Sequence, residues 1–115
     1  MALYMTQFSY TTEAWQEMIK KPQDRSGVLQ SLIEELGGKM ISLYYCFGEF
    51  DGVAVYEYPD DVTCLSGALA VISAGHLKNI QTTNLMRADE LVESMKIAHG
   101  IAYPGPNAKV TKKPK

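Results

Sequence analysis

The chain has 115 residues, 46% of them hydrophobic and 21% charged, with a formal net charge of −2. That is the length and composition of one globular domain around one core. Four lysines (Lys109, Lys112, Lys113 and Lys115) lie in the last nine residues, leaving a net charge of −6 over the first 106, and an acidic body argues against nucleic acid as the main partner because phosphate binding rests on basic surface.

Ala2–Tyr10 reads as a first strand, with Tyr4, Thr6, Phe8 and Tyr10 alternating with Leu3, Met5, Gln7 and Ser9. Thr11 or Thr12 can cap a following helix, on which Trp15, Met18 and Ile19 recur at helical spacing. Pro22 either kinks this helix or begins a new one. From Ser26 an apolar stripe of Leu29, Leu32, Ile33 and Leu36 resumes, and Gly37-Gly38 closes it. Lys39–Phe47 and Val53–Tyr58 read as two strands joined by the loop Gly48-Glu49-Phe50-Asp51-Gly52. Asp60 or Asp61 caps the next helix, roughly Val62–Ala74, which Gly75 ends. Its many small residues predict a close approach to a sheet. His76–Arg87 reads as a fourth strand and Asp89–His99 as a short last helix, before Pro104-Gly105-Pro106 ends regular structure.

The order strand, helix, strand, strand, helix, strand is the split βαβ arrangement of a ferredoxin-like α+β fold, with helices on one face of a four-stranded antiparallel sheet. On the second strand Ile41, Leu43, Tyr45 and Phe47 oppose Met40, Tyr44 and Cys46; on the third, Val53 and Val55 oppose Ala54, Tyr56 and Tyr58. A sheet apolar on both faces is buried on both. One chain of this size has too little material for that, so a second copy is expected on the open face, giving a sheet-to-sheet dimer or a higher oligomer. Residues 1–106 are expected as one domain and 107–115 as a basic tail that meets the acidic body of a neighbouring subunit.

Cys46 and Cys64 are too far apart in sequence for a CxxC motif, and no signal peptide is expected. The expectation is a reduced, cytoplasmic protein with buried, inert thiols. The longest apolar run, around Ala68–Ile72, is too short to span a bilayer, and no membrane partner is expected.

Several short matches, in order, resemble the GYD domain family, named for a Gly-Tyr-Asp signature. They are the strand ending in Tyr10-Thr11, Pro22 with Arg25, Leu36-Gly37-Gly38, Gly48-Glu49-Phe50-Asp51, Pro59-Asp60-Asp61, and Gly75 followed by Thr82-Thr83 and Leu85. Phe50 stands where the signature has tyrosine, so the ring can pack but has no hydroxyl to donate. The resemblance implies the dimeric α/β-barrel group, in which two ferredoxin-like sheets pack face to face. The wider group includes cofactor-independent monooxygenases, haem-degrading enzymes, lactone isomerases and dehydratases. A shared fold does not transfer a reaction.

His76 is a candidate for proton transfer, since it opens a strand after a helix-ending glycine; the alternative is a loop histidine near a helix C-terminus. Asp51 is a second catalytic candidate if its hairpin closes over a pocket, and otherwise a turn residue bonding its own backbone. Arg25 can bind a carboxylate bidentately or pair with Asp24 or Glu49. Trp15, Tyr44, Phe50 and Tyr56 are candidates for an apolar ligand site, or for core or dimer interface. No metal-ligand spacing, phosphate loop or nucleophile elbow is found, so no metal or cofactor is expected. The first functional expectation is a module binding a small apolar or aromatic molecule between sheet and helices. The alternatives are a cofactor-free monooxygenase- or isomerase-like enzyme and a structural or regulatory oligomer without ligand.

Overall fold

A computed structural model describes residues 1–107, so the lysines of the basic tail lie outside the described residues. The chain divides into two compact units, one of Met1–Leu85 and a second beginning at Met86. The first holds β1 (Ala2–Tyr10), α1 (Thr12–Lys20), α2 (Ser26–Glu35), β2 (Lys39–Tyr45), β3 (Gly52–Tyr58), α3 (Asp61–Ser73) and β4 (Leu77–Leu85). The second holds α4 (Ala88–His99). The sheet order is β2-β3-β1-β4 with every neighbouring pair antiparallel. This is the ferredoxin-like, α+β topology that the element order predicts.

The local devices act where the sequence places them. The Thr11 hydroxyl accepts from the Ala14 N–H at 3.1 Å and starts α1. Pro22 falls in a break rather than a kink, and after it Asp24 accepts from the Ser26 N–H at 2.9 Å, ahead of α2. Asp60 accepts from the Thr63 N–H at 2.8 Å at the start of α3. Gly37 and Gly75, each at φ +80°, end α2 and α3 in the left-handed conformation that other residues avoid. In the second unit, Glu90 reaches back to accept from the Arg87 N–H at 3.0 Å at the start of α4.

The strand pairing assigns the faces. Tyr4, Thr6 and Phe8 of β1, Ala54, Tyr56 and Tyr58 of β3, and Ile80 and Thr82 of β4 share one face. α3 lies over that face: the Tyr4 hydroxyl donates to Asp61 at 2.6 Å, and Cys64 lies 3.7 Å from the Tyr56 hydroxyl. Tyr4, Ile33, Ala54, Tyr56, Tyr58 and Cys64 form the buried core, with Leu29, Leu36, Met40 and Leu43 against it. Leu3 and Met5 of β1 and Val53 and Val55 of β3 point the other way.

Strict alternation does not survive along β2. The register shifts between Met40 and Ser42, so Met40 pairs with Tyr56 and Leu43 with Ala54. This bulge puts Met40, Leu43 and Tyr45 on the helix side and Tyr44 on the open side, because one extra residue reverses the parity of everything after it. β2 also ends at Tyr45, two residues before its expected end, and Phe47 is fully exposed. Cys64 is buried, as expected, but Cys46 is exposed and donates its thiol proton to the Phe50 carbonyl at 3.2 Å.

Candidate ligand cavity

Between the sheet and helices α2 and α3 lies a cavity of about 350 Å³. Its floor is Thr6, Phe8, Ala54, Tyr56 and Ile80. α2 contributes Val28, Leu29, Leu32 and Ile33, and α3 contributes Gly67, Ala68, Ala70 and Val71. The space exists because α3 turns its small side chains inward. Its large ones, Val62, Leu65, Leu69 and Ile72, are exposed on the outside. The close approach expected of a small-residue helix occurs at Gly67, where an added Cβ would stand 2.7 Å from the Tyr58 hydroxyl. Elsewhere the missing volume becomes cavity. The Phe8 ring of the floor packs directly on Gly52, where a Cβ would collide with it.

The polar groups fall into two sets. Deep in the floor, the Thr6 and Tyr56 hydroxyls share a hydrogen bond, and Thr6 also bonds the Thr82 hydroxyl at 2.9 Å. Burial pushes the Tyr56 phenol up to about 12 and raises the Cys64 thiol. Both groups keep their protons near neutral pH, so the floor is uncharged and the Cys64 sulfur is a poor nucleophile. The second set lies where β1 and β2 end and β4 begins. There the Tyr10 and Tyr45 hydroxyls stand 3.4 Å apart, and Arg25 and His76 also line the wall. Burial, followed by the hydrogen bond to Tyr45, raises the Tyr10 phenol, while the positive charge of Arg25 pulls it the other way.

Of the residues singled out in the sequence, Arg25, Tyr56 and His76 line the cavity. Arg25 forms no ion pair with any described residue; Asp24 is engaged with Ser26 instead. His76 is exposed, and its carbonyl accepts from the Thr11 N–H at 2.9 Å. Trp15, Tyr44, Phe50 and Asp51 lie outside the wall. Tyr44 is 69% exposed on the open face of the sheet. The Asp51 carboxylate does not bond its own loop: it accepts from the Tyr10 N–H at 2.9 Å and the Trp15 indole N–H at 3.2 Å. With the Asp51 N–H donating to the Phe8 carbonyl at 2.8 Å, this ties the β2–β3 loop to the end of β1. The Trp15 ring packs edge-on against Tyr10 at 5.2 Å.

Sequence reasoning passed over Thr6, Phe8, Tyr10 and Tyr45. Three of them were visible as one alternating set on β1, the set that proves to face the helices. Tyr45 joins them only through the bulge in β2. Among the described residues no cluster of His, Cys, Asp and Glu could hold a metal ion, and no helix is long and apolar enough to cross a membrane.

The fold has solved counterparts. The crystal structure of MtbAldR superposes with a TM-score of 0.52 at 16% identity, over 75% of this chain and 52% of that one. The chain thus spans about half the length of MtbAldR, and the likeness is one of fold. A NIPSNAP domain protein from Burkholderia xenovorans superposes with a TM-score of 0.48 at 15% identity, over 76% of this chain and 95% of that one. No curated protein matches. The profile of the GYD domain matches residues 4–95, which spans the sheet, α1, α2, α3 and most of α4, and the chain belongs to the GYD domain family.

Proposed function

We propose that this protein binds a small apolar or aromatic molecule in the cavity between the sheet and helices α2 and α3. The observation that carries the reading is the cavity's size together with its lining. Water that enters meets walls of Leu29, Leu32, Ile33, Val71 and Ile80 that give it few hydrogen bonds. Displacing that water with an apolar body is favourable.

A second proposal concerns assembly. Leu3, Met5, Val53, Val55 and Tyr44 give the sheet an apolar face pointing away from α2 and α3. A two-fold pairing of copies brings the same patch from each together. This fits the face-to-face sheets that the family resemblance implies, and it leaves the ligand cavity of each copy on its outer side.

Native mass spectrometry of freshly purified protein, compared with the denatured mass, tests both. The expected result is a dimer or higher multiple carrying excess mass that is lost on denaturation. A clean monomer overturns the pairing of sheets. If the protein carries no excess mass and takes up no apolar probe such as octanol, the cavity reading is overturned.

A further inference from the structure

The cavity is apolar along most of its lining but not where β1 and β2 end and β4 begins. Arg25 lies there partly buried at the start of α2, with no ion pair to any described residue. A guanidinium at the wall of a cavity is a ready partner for a carboxylate or phosphate. The acids close to it in sequence or space are occupied: Asp24 with the Ser26 N–H, Asp51 with Tyr10 and Trp15, and Glu17 with Lys20 at 3.7 Å. The Tyr10 and Tyr45 hydroxyls and the His76 side chain line the same end and can all donate. Lys21 and Glu17 line an adjoining hollow that shares Tyr10, Arg25 and His76, and there their formal charges offset one another and leave the Arg25 charge unmatched by either.

We propose that the ligand is an amphipathic carboxylic acid, with its carboxylate on Arg25 and its apolar body in the cavity. This rests on the cavity reading above and adds the head group to it. The fork of the guanidinium matches a carboxylate bidentately, and the Tyr10 and Tyr45 hydroxyls supply further donors at the same rim. The apolar body then runs inward over Phe8 toward the neutral Thr6–Tyr56 floor, where no charge competes with it.

The test compares octanoate with octanol by isothermal titration calorimetry on the full chain, in the wild type, Arg25→Gln and Arg25→Lys. The two probes share an apolar chain and differ in the head group. Octanoate is expected to bind the wild type at least tenfold more tightly than octanol. Arg25→Gln should remove that preference, weakening octanoate by about tenfold to a hundredfold and leaving octanol within about twofold. Arg25→Lys, which keeps the charge and loses the fork, should fall between. Equal binding of the two probes overturns the head-group assignment and leaves the cavity reading standing. A preference for octanoate that survives in Arg25→Gln also overturns it. Failure of both probes to bind overturns the cavity reading itself. Thermal melts of the variants show whether they fold, and unchanged melting is expected because no described side chain pairs with Arg25.

Discussion

Asp51 shows how a residue with catalytic chemistry can serve geometry instead. Its carboxylate has two donors from the β1–α1 segment, the Tyr10 N–H at 2.9 Å and the Trp15 indole at 3.2 Å. A hydrogen bond to a charged group contributes about 1.5–3 kcal/mol, discounted here because Trp15 is 38% exposed. Asp51→Ala should therefore lower unfolding stability by about 1–3 kcal/mol, measured by urea denaturation, while octanol affinity changes little. A loss of ligand affinity without a loss of stability would give Asp51 a place in the site after all. Phe50 departs from the family tyrosine at the adjacent position, and it is the backbone carbonyl of Phe50 that takes part, accepting from the Cys46 thiol.

At the scale of the element, α3 carries the main lesson. Its large apolar residues Val62, Leu65, Leu69 and Ile72 are exposed, and those that line the cavity are Cys64, Gly67, Ala68, Ala70 and Val71. An ordinary amphipathic helix would do the reverse and fill the space it covers. Ala68→Leu puts three more carbons into the cavity. It should raise unfolding stability by about 0.5–2 kcal/mol, as cavity filling commonly does, and weaken octanol binding several-fold. Calorimetry on the folded variant checks both. A variant that is destabilised, with ligand binding unchanged, would mean that the space is not where the side chain goes.

For the whole molecule, the tyrosines couple stability to pH. Tyr4, Tyr10, Tyr56 and Tyr58 all have phenols raised in the folded state, in each case chiefly by burial, with Tyr56 up to about 12. In the unfolded chain they ionise near 10. Between those values the unfolded state has lost protons that the folded state still holds, so stability falls as pH rises. It is fully present below about pH 10 and is lost progressively through about pH 12 and beyond. Thermal melts should show a steep drop in Tm over that range, with part of the phenolate absorbance appearing only on unfolding. Phenolate absorbance that rises fully near pH 10 in the folded protein would contradict the buried tyrosine cluster.

The sequence by itself determined the element order, the stops at Gly37 and Gly75, and hence the ferredoxin-like topology, and it narrowed the caps to adjacent pairs from which the structure selects Thr11 and Asp60. These are local matters of side-chain period, turn conformation and the first unpaired N–H groups of a helix. Only the tertiary structure decided which β2 residues face the helices, because a single bulge reverses parity without a mark in the composition. The same holds for the partners of Asp51, which lie 41 and 36 residues away. The cavity is likewise a tertiary property. Small residues on α3 are compatible with either close packing or empty space, and the distance between helix and sheet chooses between them.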